Sequence, residues 1–394
     1  MRKFLYPIFA LAALFTYAGC ADWITPDPIY KEPENIYDNE GSTVYQDLLA
    51  YKKDMAGRQV MFGWFDEWTG TGSYRNMLRA LPDSIDIVSH WNPKESYVEP
   101  LTDFQKHDLA EVHKRGTKVL FCLFFKDLGF RLTPGLAAAQ ANVPSEEYIA
   151  TMREKWGWYE RNYDASPEAD AAIAKYADEM SAYVIENGYD GIDFDFERNY
   201  GERGNLVESN AALHVLLTAL SRNFGPKSGT GRLLVVDGEP QTLSPESGPL
   251  LDYYIIQAYS NNNASGDSYL DARFATGGIA GAALFATFGE ADGGEANVLR
   301  KTIWTEDFES GQNKLTGGPE YRFRNGHVNP GLNADGTPKT STYSLDGMCR
   351  YYREIDGEIV KAGGAGAYRF NLSRLYNDYT LYRRAIQTMN PAEN

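Results

Sequence analysis

Cysteine is scarce in this sequence of 394 residues, which holds only Cys20, Cys122 and Cys349. No disulfide framework can be built from them. Cys122 sits in an apolar strand-like run and Cys349 in a helical stretch, so both read as plain core residues. Histidine is equally sparse: His90, His107, His113, His214 and His327 show no pairing at metal-ligand spacing, and neither a metal nor another cofactor is expected. Basic residues are in deficit, with 38 Lys and Arg against 54 Asp and Glu and a formal net charge of -16. That balance argues against nucleic acid or an anionic membrane surface as a partner. The chain has no internal repeat beyond a strand-helix rhythm, and no low-complexity tract.

Aromatic residues are plentiful, with 27 Tyr, 19 Phe and 7 Trp. Most aromatics in a chain of this size are core, but they also supply the flat surfaces on which sugar rings stack, and neutral glycans suit the charge balance. At the amino end Arg2 and Lys3 precede an apolar run from Phe4 to Phe15, and Tyr17-Ala18-Gly19 leads into Cys20. A charged start, a short apolar core and small residues before a cysteine read as a lipoprotein signal over residues 1–19, with an ordinary cleaved signal as the alternative. The expectation is a lipid anchor on Cys20, in the cell envelope, on the outer membrane and exposed at the cell surface. Pro26, Pro28 and Pro33 make residues 20–42 an extended tether. Without Arg2 and Lys3 the net charge becomes -18.

Residues 43–394 alternate strand and helix patterns. Apolar strands are predicted at Gln59–Phe65, Ile85–His90 and Lys118–Phe125, with a helix at Asp103–Lys114 that stops at Gly116. Ser166 caps and Pro167 opens a helix whose stripe is Ile173, Tyr176, Ala177, Met180 and Val184. Further strands are read at Asp190–Glu197, Arg232–Val236, Tyr253–Tyr259, Ala282–Phe288 and Ala365–Leu372, and further helices at Glu208–Asn223, Asp346–Ala362 and Tyr376–Met389. Eight strands with helices between most of them predict an α/β fold, a (β/α)8 TIM barrel. An open doubly wound sheet is the alternative. Two long stretches, Lys126–Ala165 with Trp156-Gly157-Trp158-Tyr159 and Gly289–Tyr343 with Trp304, read as insertions of the kind that bind substrate.

The most informative stretch is Asp190-Gly-Ile-Asp-Phe-Asp-Phe-Glu197. Asp193, Asp195 and Glu197 alternate with Ile192, Phe194 and Phe196, so on a strand the acids line one face and the apolar residues the other. Acids so close cannot all ionise cheaply, and at least one pKa must rise. Such a row adds nothing to stability. It reads as a solvated acidic edge, a divalent-cation site or a carboxylate cluster working on a glycosidic bond. Phe194 and Phe196 need a buried face, which disfavours the first. No histidine or Gly-turned Asp loop completes a metal shell, which disfavours the second.

The spacing Asp-x-x-Asp-x-Asp-x-Glu resembles the signature of glycoside hydrolase family 18, the chitinases and endo-β-N-acetylglucosaminidases, at all four acidic positions. That resemblance implies Glu197 as general acid, and Asp195 as the group that orients the substrate's own 2-acetamido nucleophile while it closes an oxazolinium ring. It implies that Asp193 shares a proton with Asp195, and that Tyr259 bonds the acetamido oxygen. Chitinases of the family show Met-x-Tyr-Asp on strand six, whereas this chain reads Gln257-Ala258-Tyr259-Ser260, as in the endo-β-N-acetylglucosaminidases. The chitinase-type tryptophan expected on strand eight is also missing, and Tyr368 and Phe370 stand in that stretch. The expected substrate contacts are Gln257, Asp190, Trp64, Phe65, Trp91 and Tyr368. The implied activity is hydrolysis of the GlcNAc-β-1,4-GlcNAc core of N-glycans by a monomer. A chitinase is the nearer alternative and a non-catalytic glycan-binding barrel the other, the latter disfavoured because such relatives lose the terminal acid that Glu197 supplies.

Overall fold

The computed structural model describes residues 42–92, 98–133, 145–259, 265–277 and 281–391. Cys20, the expected signal and nearly all of the expected tether lie outside them. The chain divides into residues 1–46 and residues 47–394, and the barrel belongs wholly to the second unit.

Eight strands build it: β1 Val60–Phe65, β2 Ile87–His90, β3 Lys118–Phe124, β4 Gly191–Phe196, β5 Leu233–Gly238, β6 Tyr253–Gln257, β7 Thr302–Asp307 and β8 Gly364–Tyr368. Each pairs in parallel with its neighbours, and β8 closes on β1, giving the ring β1-β8-β7-β6-β5-β4-β3-β2. Parallel strands need crossovers, and capped helices supply several of them. Thr102 and Gln105 form a capping box on Asp103–Lys114, and the Ser166 hydroxyl accepts from the Ala169 N–H at the head of Pro167–Glu186. The stripe Ile173, Tyr176, Ala177, Met180 and Val184 is buried in full.

Alternation along the strands sorts side chains into two cores. Inside the ring Val60, Phe62, Trp64, Ile87, Leu120, Cys122, Leu233, Val235, Ile255 and Ile303 form one cluster, and the helix-facing residues form another that includes Phe65, Ile192, Phe194 and Phe196. Burying such an apolar side chain is worth roughly 1.5–3 kcal/mol. The inner plug therefore offsets the polar groups that follow it toward the carboxyl ends: Ser89, Asp193, Asp195, Asp237 and Thr305, all buried.

Several elements differ from the sequence expectation. The apolar run Ala282–Phe288 is not the seventh strand; Leu284–Phe288 is a short helix, and the seventh strand is Thr302–Asp307, within the stretch expected to be loop. Alanine and leucine favour helix over strand, and a short apolar run has no period to separate the two. Asp346–Ala362 is not one helix either. A helix covers Ser344–Arg350, and Tyr352–Ile355 then pairs antiparallel with Glu358–Lys361. The turn is Asp356-Gly357, with φ of 53° and 81°, the pair of positive values that a two-residue type I′ hairpin demands. The closing helix is interrupted as well, into Ser373–Asn377 and Thr380–Met389.

Candidate active site

β4 carries its acids as alternation requires. Asp193 and Asp195 point into the ring and are buried, while Glu197, one residue past the strand end, is half-buried at the mouth. Beside it β5 ends at Gly238, whose φ is +85° and whose Cβ, if it had one, would stand 2.5 Å from the Phe196 carbonyl oxygen. Only glycine fits there. That tight end brings Asp237 level with Asp195, its Cα partner in the sheet.

A cavity of about 240 Å³ opens above these acids, lined by Trp64, Trp91, Phe124, Asp195, Glu197, Asp237, Gln257, Tyr259 and Tyr368. Its wall is aromatic: Phe124 meets Trp91 at 5.3 Å between centroids, Trp91 meets Tyr368 at 5.5 Å, and Tyr368 meets Tyr259 at 6.4 Å. Trp64 completes it beneath Tyr368. A larger cavity of about 620 Å³ lies between the Tyr352–Lys361 hairpin and the last helix, where it holds none of the clustered acids.

Hydrogen bonds hold the acids. Asp193 Oδ2 accepts from the Trp64 indole at 3.0 Å and from the Ser89 hydroxyl at 2.6 Å. The Gln257 amide nitrogen donates to Asp237 Oδ1 at 2.9 Å and to Asp195 Oδ1 at 3.4 Å. Burial raises every pKa in the group. Asp195 is pushed well above the usual carboxylate range, first by burial and then by the charges of Glu197, Glu202 and Asp193. Glu197 is raised mainly by burial, against the pull of a hydrogen bond from Gln257. Burial and the charges of Asp237, Asp195, Asp307 and Glu197 keep the Tyr259 hydroxyl protonated, as a donor. The arrangement is a proton-retaining carboxyl at the rim, a second carboxyl and an amide beneath it, and a phenol across the cavity. It suits acid-assisted cleavage with internal stabilisation of a developing positive charge.

Of the expected residues, Glu197, Asp195, Gln257, Tyr259, Trp64, Trp91 and Tyr368 meet in this cavity, and Asp193 lies directly below it through Trp64. Two lie elsewhere. Phe65 has the opposite parity to Trp64, points out of the ring and packs on Phe370 at 6.0 Å. Asp190 precedes β4 at the far end of the barrel, where it pairs with His113 Nε2 at 2.8 Å and accepts the Val119 N–H. Its role is to join strand and helix. Phe370 itself faces the outer core. The reading of the sequence missed Asp237, Ser89 and Phe124. All three were signalled by parity, in Val235-x-Asp237, Ile87-x-Ser89 and Cys122-x-Phe124.

Cys122 Sγ and one oxygen each of Asp193 and Asp237 lie within 4.8 Å of one another. Donors bound to one ion at 2.0–2.3 Å stand about 3.3–3.8 Å apart, so the upper end of that spacing is loose for a shell.

The family model described as "Glycoside hydrolase family 18, BT1044-like" matches residues 20–388. The chain belongs to glycoside hydrolase family 18. Among the relatives it matches, Endo-beta-N-acetylglucosaminidase F2 of Elizabethkingia meningoseptica is 28% identical over 228 residues, a segment that spans 55% of this chain and 55% of that protein. The solved structure of BT1044, a selenomethionine form with a Glu→Gln substitution, superposes with a TM-score of 0.65 at 26% identity, covering 90% of this family 18 chain and 95% of that one. The apo endo-beta-N-acetylglucosaminidase of Cordyceps militaris shares the fold, with a TM-score of 0.53 at 20% identity over 89% and 96% of the two chains.

Proposed function

We propose that this family 18 barrel is an endo-β-N-acetylglucosaminidase that hydrolyses the GlcNAc-β-1,4-GlcNAc core of N-glycans with the substrate's own acetamido group as nucleophile. The observation that carries the reading is the meeting of Glu197, Asp195, Gln257 and Tyr259 in one aromatic-walled cavity. Glu197 protonates the leaving oxygen, for which burial equips it by raising its pKa above the ordinary carboxylate value. Asp195 takes the amide N–H and balances the charge that grows as the oxazolinium ring closes. The Tyr259 hydroxyl donates to the acetamido oxygen, and Tyr368, Trp91 and Phe124 offer stacking faces to the sugar. After the aglycone leaves, Glu197, now ionised, takes the proton of an attacking water.

Gln257 in place of the chitinase methionine, and the F2 relative, favour N-glycans over chitin. Retention of both Asp195 and Glu197 in the cavity favours turnover over mere binding. We also propose that the mature chain is held at the outer membrane by lipid on Cys20. This rests on the Ala18-Gly19-Cys20 ending of the apolar run. Mass spectrometry of the sugars released from a high-mannose and a complex glycoprotein, beside chitin oligomers, tests the function. Glycans ending in a single GlcNAc are expected. Cleavage of chitin alone would show a chitinase, and binding without release a lectin.

A further inference from the structure

Two buried carboxylate oxygens at the bottom of the site lack a hydrogen-bond partner: Asp193 Oδ1 and Asp237 Oδ2. Each carboxylate has its other oxygen satisfied, Asp193 by Trp64 and Ser89 and Asp237 by Gln257. Both side chains are 0% exposed, and they approach each other within the 4.8 Å cluster they form with Cys122. Two unpartnered acceptors on neighbouring carboxyls in a dry interior are costly, each on the order of 1–3 kcal/mol and more if charged. One proton between them removes both costs. We propose that Asp237 is a positioning residue of this site, a neutral carboxylic acid whose proton bridges its Oδ2 to the ionised Asp193.

The surroundings decide which acid keeps the proton. Asp193 faces the Trp64 indole from β1, the Ser89 hydroxyl from β2 and the Cys122 thiol from β3, donors that favour its charged form. Asp237 faces one amide, Gln257 from β6, and the charges of Asp195, Asp193 and Glu197 from β4. Burial and those charges push it well above the usual range, whereas burial lifts Asp193 only to about 6, with a hydrogen bond to Asp237 among the contacts that hold it down. Burial keeps the Cys122 thiol neutral. The consequence differs from the family resemblance, in which Asp193 and Asp195 share a proton within one strand. Here β5 supplies the proton for Asp193. Asp195 is then left to face the substrate amide, and Gln257 is fixed by Asp237 Oδ1 in the orientation that also reaches Glu197.

The inference deepens the proposed function and rests on it for the kinetics, but the proton has a signature of its own. An infrared difference spectrum between wild type and Asp237→Asn at neutral pH should show, in wild type only, the carbonyl stretch of a neutral carboxylic acid. Asparagine keeps the Oδ1 acceptor for Gln257 and donates permanently to Asp193, so kcat should stay within about threefold and the alkaline limb of the pH profile should not fall. Asp237→Ala loses the donor, and kcat should drop about 10- to 100-fold, the factor for a hydrogen bond to an ionised group, with KM little changed. Absence of the wild-type band overturns the inference, as does an asparagine variant as impaired as the alanine one. The band without release of any N-glycan would refute the function and leave the proton assignment standing.

Discussion

Glu202 lies on the turn after β4, with Oε2 accepting the Glu197 backbone N–H at 3.2 Å. Burial, then the charges of Glu197 and Glu239, lift its pKa from an ordinary 4.5 to about 7, against the opposing pull of that N–H and of Lys126. An acid with a raised pKa binds its proton more tightly in the folded state. Its contribution to stability is therefore complete below the unfolded value, near 4.5, and is lost as pH rises through about 7. The interval corresponds to about 3 kcal/mol, or about 2 kcal/mol once screening by solvent at this half-buried side chain is allowed for. Glu202→Gln removes the titration while Oε1 keeps accepting the Glu197 N–H. Urea denaturation of both proteins at about pH 4.5 and about pH 8.5 should give equal stabilities in acid and a variant more stable by about 2–3 kcal/mol in alkali. A variant no more stable than wild type in alkali, or stabilised equally at both, would refute the electrostatic account of this turn.

Glu197→Gln keeps volume and removes the transferable proton, so kcat should fall by about 10² to 10⁴-fold, or roughly 3–5 kcal/mol in the barrier, while glycan affinity in calorimetry is retained; wild-type turnover would remove Glu197 from its role. Asp195→Asn should lose most hydrolysis. Given a preformed sugar oxazoline it should still join the sugar to a GlcNAc acceptor, because Glu197 remains as base, and a covalent sugar ester trapped on Asp195 or Asp193 in intact-mass analysis would contradict substrate assistance. Cys20→Ala should move the protein from the membrane to the soluble fraction, since a lipid chain contributes about 0.8 kcal/mol per buried CH₂; equal partitioning of both forms would argue for ordinary signal cleavage.

The site was legible where period-2 alternation reached the strand end. β4 shows this best, because Asp193, Asp195 and Glu197 share a parity that Phe194 and Phe196 cannot take. The same rule would have separated Trp64 from Phe65, of which only one can face inward. Asp237 was lost because the strand was ended at Val236, one residue before the carboxylate that completes the cluster. β7 hid for a different reason. Thr302-Ile-Trp-Thr-Glu-Asp307 has no period-2 alternation and ends in three polar residues, yet Glu306 is fully buried, its Oε1 accepting the Asp307 N–H, and nothing local announces that. Only closure of the ring, with β7 between β6 and β8, fixes its place. The Asp356-Gly357 turn was readable from the residues themselves, because that pair between two short β-prone runs is a strong hairpin signal.

The most direct test is the intact mass of an N-glycoprotein after exposure to wild-type enzyme and, in parallel, to Glu197→Gln. With wild type the protein should retain one N-acetylhexosamine per occupied site, core fucose included where present, and with the variant its glycans should stay whole. An unchanged glycoprotein with wild type, removal of the whole glycan from asparagine, or equal cleavage by both proteins would contradict the account.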